Sequence, residues 1–179
     1  MIETPRLLLR PWQEADRAPF AAMGQDAAVM QHFPARLSRS ESDAMMDRIS
    51  QMMADQGFGL WAVERRDGGD FIGFCGLNRV SFAGPVAGEV EIGWRLARSS
   101  WGQGLACEAA RASLDWGFNH GLSRIVSFTV PANMRSWGLM ERLGMQRRAD
   151  LDFDHPALPE GHRLRRHIVY EMTNHNGSP

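Results

Sequence analysis

EVEIGWRLARSSWGQGLACEAA, residues 89–110, carries the reading of the fold. Val90, Ile92, Trp94 and Leu96 alternate with polar or small residues, the period of a strand with one buried face, and Glu89 and Glu91 fall on the opposite face. A bulge near Gly93 would exchange the faces beyond it. After a short connection Gly102 and Gly104 flank Gln103, and Leu105, Ala109, Ala112 and Trp116 then recur at helical spacing. Glycine lets a backbone approach an anion closely, and a helix N-terminus offers free N–H groups and partial positive charge. A strand, a glycine turn and a helix in that order form a phosphate-binding arrangement; the same glycines also suit a tight turn that binds nothing.

Two other phosphate sites fail on residues. A dinucleotide fingerprint needs a third glycine where Cys107 stands, and a nucleotide-binding P-loop needs a lysine. All 20 basic residues are arginine, which also removes lysine Schiff-base chemistry.

Outward from this stretch, RLLLRPW (6–12) reads as a strand ended by Pro11, and EADRAPFAAM (14–23) as a helix. SESDAMMDRISQMMADQGF (40–58) reads as a second helix, with Met45, Ile49, Met52 and Met53 at helical spacing and Gly57 as the stop. GLWAVERR (59–66), DFIGFCGLNRV (70–80) and GEVEIGWRLA (88–97) predict an antiparallel meander. Beyond the glycine turn, RIVSFTV (124–130) predicts a strand and NMRSWGLMERLG (133–144) a helix capped by Asn133 and closed by Gly144. ADLDFDHPALPEGHRL (149–164) reads as an irregular loop, and RHIVYEM (166–172) as a last strand. The class is α+β (α/β), a mixed and mostly antiparallel central sheet flanked by helices.

At 179 residues and 44% hydrophobic content the chain suffices for one core. A net charge of -1 offers no field for nucleic acid or an anionic membrane, no apolar run is long enough to span a bilayer, and MIETPRLLLRPW is too charged for a signal peptide. A cytoplasmic protein with reduced Cys75 and Cys107 is expected.

The segment 89–110 also resembles the core motif of the GNAT superfamily of N-acetyltransferases, Q/R-x-x-G-x-G/A. Trp101, Gly102, Gln103, Gly104, Leu105 and Ala106 stand on its six positions. Trp101 replaces the usual Gln or Arg, as in the branch that includes the bacterial ribosomal-protein alanine acetyltransferases. NMRSWGLMERLGM is similar to the second motif, with Asn133 on its cofactor-contacting Asn, and TPRLLLRPWQEAD is similar to that branch's opening. The resemblance implies one acetyltransferase domain over 1–173 with a tail at 174–179, and a sheet whose two central strands splay apart. It implies acetyl-CoA as cosubstrate, its pyrophosphate on the 102–106 amides and its pantetheine paired like a strand beside Trp94 and Leu96. The partner implied is an amine acceptor, either a small molecule or a protein N-terminus; the oligomeric state is open, a homodimer being one option.

Acetyl transfer to an amine needs a neutral nitrogen, and Glu91 is the expected base, directly or through water. Glu89 suits a solvated strand face. The tyrosine that many relatives carry seven residues after the motif Asn is replaced by Met140, which leaves Ser136 as the motif-matched hydroxyl for the leaving thiolate; Asn133 and Ser136 equally suit simple helix-start chemistry. His155, His162 and His167 lack a second ligand pair, so no metal is expected. The acidic loop of Asp150, Asp152, Asp154 and Glu160 would attract an ammonium group or be merely solvated. Cys107 suits small apolar packing better than covalent catalysis. A non-catalytic acyl-CoA-binding module would keep the glycines and Asn133 while tolerating loss of Glu91 and Ser136.

Overall fold

A computed structural model describes residues 1–174; positions 175–179 of the expected tail lie outside the described residues. Strands β1 (Ile2–Glu3), β2 (Leu7–Arg10), β3 (Leu60–Arg65), β4 (Phe71–Arg79) and β5 (Val90–Leu96) follow one another antiparallel. Strand β6 (Arg124–Thr129) lies parallel to β5, and β9 (Arg166–Thr173) pairs antiparallel with β6, β7 (Gln146–Arg147) and β8 (Phe153–Asp154). Helices α1 (Arg17–Gln25) and α2 (Arg39–Gln56) precede the meander, while α3 (Leu105–Asn119) and α4 (Met134–Leu143) flank β6 in sequence. No helix among the described residues is long and apolar enough to cross a membrane.

The alternation of β5 predicts its two environments correctly. Val90, Ile92 and Leu96 are buried in the main core with Leu105, Ala109 and Leu114 of α3 and Leu139, Met140 and Leu143 of α4. The β4–β5 register runs unbroken from Gly73–Leu96 to Arg79–Val90, so no bulge exchanges the faces at Gly93. On the other face Phe74 packs with Phe20 and Met23 of α1 and Met46 of α2, and the Trp12 ring meets Phe20 edge-on at 4.9 Å. Helix α3 approaches closely at Gly117, where a Cβ would meet Ile125 and Leu77 methyls at 2.9 Å.

The helix caps follow their sequence signals. Asn133 Oδ1 accepts from the Ser136 amide, Gly144 closes α4 at φ 89°, and Ser38 with Glu41 forms a reciprocal capping box on α2. The buried stripe of α2 runs through Ser42, Met46 and the expected Ile49, while Met45, Met52 and Met53 stay half-buried. Arg10, itself buried, holds α1 to the meander by a bidentate pair with Asp16 (2.7 and 2.8 Å) and a contact to Glu64 (2.5 Å). The loop at 149–164 contains β8, and β1 and β7 also escaped the sequence, since two residues carry no period.

Candidate active site

The site is a fork in the sheet. Strands β5 and β6 share a single registered pair, Glu91 with Val126, and the Ser127 hydroxyl then donates to the Ile92 carbonyl (2.9 Å). Ala97 N–H donates to Ile72, and Glu89 C=O accepts from Val80, so odd-numbered residues of β5 turn their backbone groups towards β4. The even-numbered ones face the side of β6. Beyond Ile92 no strand among the described residues lies on that side, and the N–H and C=O of Trp94 open into the gap. Their side chains do not: Trp94 packs against the main core and Leu96 is buried in it. The Leu96 carbonyl is already occupied, because the Trp101 indole donates to it (2.9 Å).

At the mouth of the fork, Gly102 and Gly104 adopt φ 74° and 76°, values open to glycine. Gly104 caps α3 without any side-chain bond, and among the described residues no acceptor takes the N–H of any residue from Gly102 to Cys107. A run of unpartnered amides beside open space, where a Cβ at Gly102 would meet nothing within 4 Å and one at Gly104 only Arg6 Nη2 at 3.6 Å, fits the pyrophosphate of CoA. Arg6, missed by the sequence reading, locks this turn: its guanidinium donates to the Gln103 carbonyl (2.9 Å) and to Glu108 (2.6 Å), which also accepts from Thr4 (2.6 Å). Burial alone would raise the Glu108 pKa, but these bonds outweigh it and hold the carboxyl below its usual range. Gln103 turns its own side chain to the Ser99 carbonyl (2.8 Å). Leu105 and Ala106 anchor the helix in the core, as does half-buried Cys107.

The second motif meets the first here. The Arg135 guanidinium stands 4.6 Å from the Trp101 ring centroid, and Asn133 Nδ2 donates to Thr129 at the end of β6 (3.0 Å). Both walls of the fork are thereby tied to the glycine turn, with half-buried Ser136 one residue on. Met140 is only 1% exposed and belongs to the core, so the usual tyrosine position is a packing position. Tyr170 is engaged elsewhere, donating to Glu141 (3.1 Å).

Glu91 sits at the crotch of the fork, directly across β4 from Asn78. Its burial on the sheet face pushes the carboxyl up to about 7, against the opposing hydrogen bond from Asn78. Glu89, by contrast, pairs with Arg124 (3.3 Å). The aspartates of the acidic loop are paired, Asp150 with Arg148 (2.7 Å), Asp152 with Arg147 (2.5 Å), and Asp154 with Arg165 and Arg166 (3.6 Å each), which leaves exposed Glu160 as its one acid without an ion pair among the described residues. His155 and His167 join Phe82, Phe128 and Phe153 in an aromatic cluster, the His167 ring stacked on Phe153 at 5.4 Å.

Residues 6–146 match the acetyltransferase (GNAT) domain family. YkkB, an uncharacterised protein of Bacillus subtilis strain 168, is 31% identical over 144 residues, 79% of this chain and 83% of its own. An acetyltransferase of the GNAT family from Bacillus anthracis superposes with a TM-score of 0.79 at 24% identity, covering 96% of this chain and 97% of that one. Mycobacterium smegmatis RimJ, solved with CoA-disulfide, superposes with a TM-score of 0.74 at 19% identity, covering 97% and 84%.

Proposed function

Because the chain belongs to the GNAT acetyltransferase family, whose members use acetyl-CoA, we propose that it acetylates a primary amine by direct transfer in a ternary complex. The observation that carries this reading is Glu91, a carboxyl tuned to about 7 at the point where the sheet opens. Such a group is half ionised near neutrality and able to take a proton from an ammonium or an attacking nitrogen. Acetyl-CoA supplies an activated thioester whose thiolate is a tolerable leaving group.

The chain's own residues then divide the remaining work. The amides of 102–106 hold the pyrophosphate, and the open backbone of Trp94, with the Leu96 N–H, pairs with the pantetheine. Asn133 orders the start of α4. The Ser136 hydroxyl donates to the departing sulfur. As the nitrogen–carbon bond forms and the carbon–sulfur bond breaks, the nitrogen's proton passes to Glu91, directly or through water. Fixing both reactants in the fork supplies most of the acceleration, with the base adding about 10² to 10⁴-fold.

A CoA-release assay across small amines and N-terminal peptides tests the reading. Release that depends on an amine and disappears in Glu91→Gln is expected. Tight acetyl-CoA binding with no release from any amine would make the chain a non-catalytic acyl-CoA-binding module instead.

A further inference from the structure

Arg95 shares the Glu91 face of β5, four residues further along. It is 8% exposed, and its guanidinium lies 4.0 Å from the Phe33 ring centroid and 5.3 Å from that of Phe74. Its Nε and Nη1 are buried with no hydrogen-bond partner, and among the described residues no carboxylate pairs with it. Arg10 is the instructive contrast, since it is equally buried but met by Asp16 and Glu64. Aromatic faces attract a guanidinium from above and below its plane but accept none of its in-plane N–H bonds. A buried cation left without acceptors is costly to the fold, and burial alone draws the Arg95 pKa down to about 10, so it stays charged at neutral pH.

The surroundings suit a small ligand. Between the Phe74–Arg95 pair and the Asn78–Glu91 pair stand two facing glycines, Gly76 and Gly93. A Cβ at Gly93 would meet nothing nearer than a Leu60 methyl at 3.9 Å, whereas one at Gly76 would strike the Gly59 carbonyl at 2.1 Å, so the room on that stretch of the face lies over β5. His32, adjacent to Phe33, keeps a buried Nδ1 without a partner, and Arg163 donates to the Gln31 carbonyl (3.2 Å). Arg163 also acts on His32, whose pKa is held down first by burial and then by that charge.

We propose that Arg95 binds an anionic group of the acceptor, a carboxylate or a phosphate, so that the acceptor is a zwitterionic small molecule whose amine is presented to Glu91. The proposal rests on the acetyl-transfer reading. Strand geometry sets the two Cα positions about 13 Å apart with both side chains on one face of the sheet.

The test compares acceptors that differ only in the anion: amino acids against their carboxamides, and aminoalkyl phosphates against the matching amino alcohols. CoA release is measured at saturating acetyl-CoA for the wild type, Arg95→Met and Arg95→Gln. The wild type should favour the anionic member of one series by at least about tenfold in kcat/KM, and that series identifies the anion. Both variants should lose this preference through a higher KM for the anionic acceptor, with the KM of acetyl-CoA and the rate on the neutral acceptor unchanged. Loss of an unpartnered cation should also leave Arg95→Met with a Tm no lower than that of the wild type. A wild type indifferent to the anion, or a folded variant that keeps the preference, overturns the proposal.

A binding arm separates this from failure of the acetyl-transfer reading. Anionic N-acetylated products should raise the Tm of the wild type alone, and their neutral counterparts should raise neither. Such an Arg95-dependent shift without turnover of any amine retains the anion site and defeats the acetyl-transfer reading; turnover without the shift or the preference does the reverse.

Discussion

Replacing Glu91 by Gln keeps the shape of the side chain and removes its ionisation, with two measurable consequences. The folded protein holds the Glu91 proton up to about pH 7, whereas an unfolded chain releases it near 4.5. That difference corresponds to roughly 3 kcal/mol. Since the folded pKa is the higher one, the stability it contributes is fully present below pH about 4.5 and disappears as the pH rises through about 7. The wild type should therefore lose about 3 kcal/mol relative to Glu91→Gln between pH 4 and pH 8, measured as the divergence of their urea midpoints at constant m-value. In catalysis the carboxylate acts only when ionised, so kcat/KM should climb through pH about 7. The variant should lose about 10² to 10⁴-fold together with that limb, while the limb belonging to the acceptor's own ammonium remains. A stability difference independent of pH would refute the burial of the carboxyl. A limb near 7 that survives in the variant would refute its role as base.

Gly104→Ala places a Cβ 3.6 Å from Arg6 Nη2 at φ 76°. It should cost about 1–2 kcal/mol of stability by urea denaturation and weaken acetyl-CoA at least about tenfold by calorimetry. Unchanged affinity in the folded variant would remove the turn from the cofactor site. Ser136→Ala should slow turnover roughly ten- to a hundredfold, about 1.4 to 2.7 kcal/mol of barrier, at saturating acetyl-CoA. Tyr170→Phe should leave kcat near the wild-type value and lose only about 1 kcal/mol of stability with its bond to Glu141. An inactive Tyr170→Phe beside an active Ser136→Ala would move the proton donor to β9.

The side of the fork proposed to hold the cofactor was legible in the sequence because its determinants are local. Positive φ at Gly102 and Gly104, the N-cap at Asn133 and the alternation of 90–96 are each set within a few residues, and each stands where its signal predicted. Local signals also misled where a pattern had a near-equal neighbour: in the methionine-rich α2, Met45 and Met46 compete for the same face, and tertiary packing against Phe74 chose Met46. Electrostatic neighbours were less legible still. The acids of 150–154 read as a charged loop until pairing with β9 and the strand at Gln146–Arg147 brought four arginines against them.

The acceptor contact proposed above depends on such non-local placement almost entirely. Alternation puts Arg95 on the Glu91 face, where a cation in sequence reads as solvated. Its burial comes from Phe33, in the connection between α1 and α2, and from Phe74 on the neighbouring strand. The same asymmetry follows from chemistry. Backbone amides recognise a diphosphate through a turn that a handful of residues can encode, whereas an acceptor is recognised by side chains that three separate segments must deliver to one face. On the proposal above, acceptor choice would change through Phe33 or Arg95 while the glycine turn and its hold on Arg6 stay as they are.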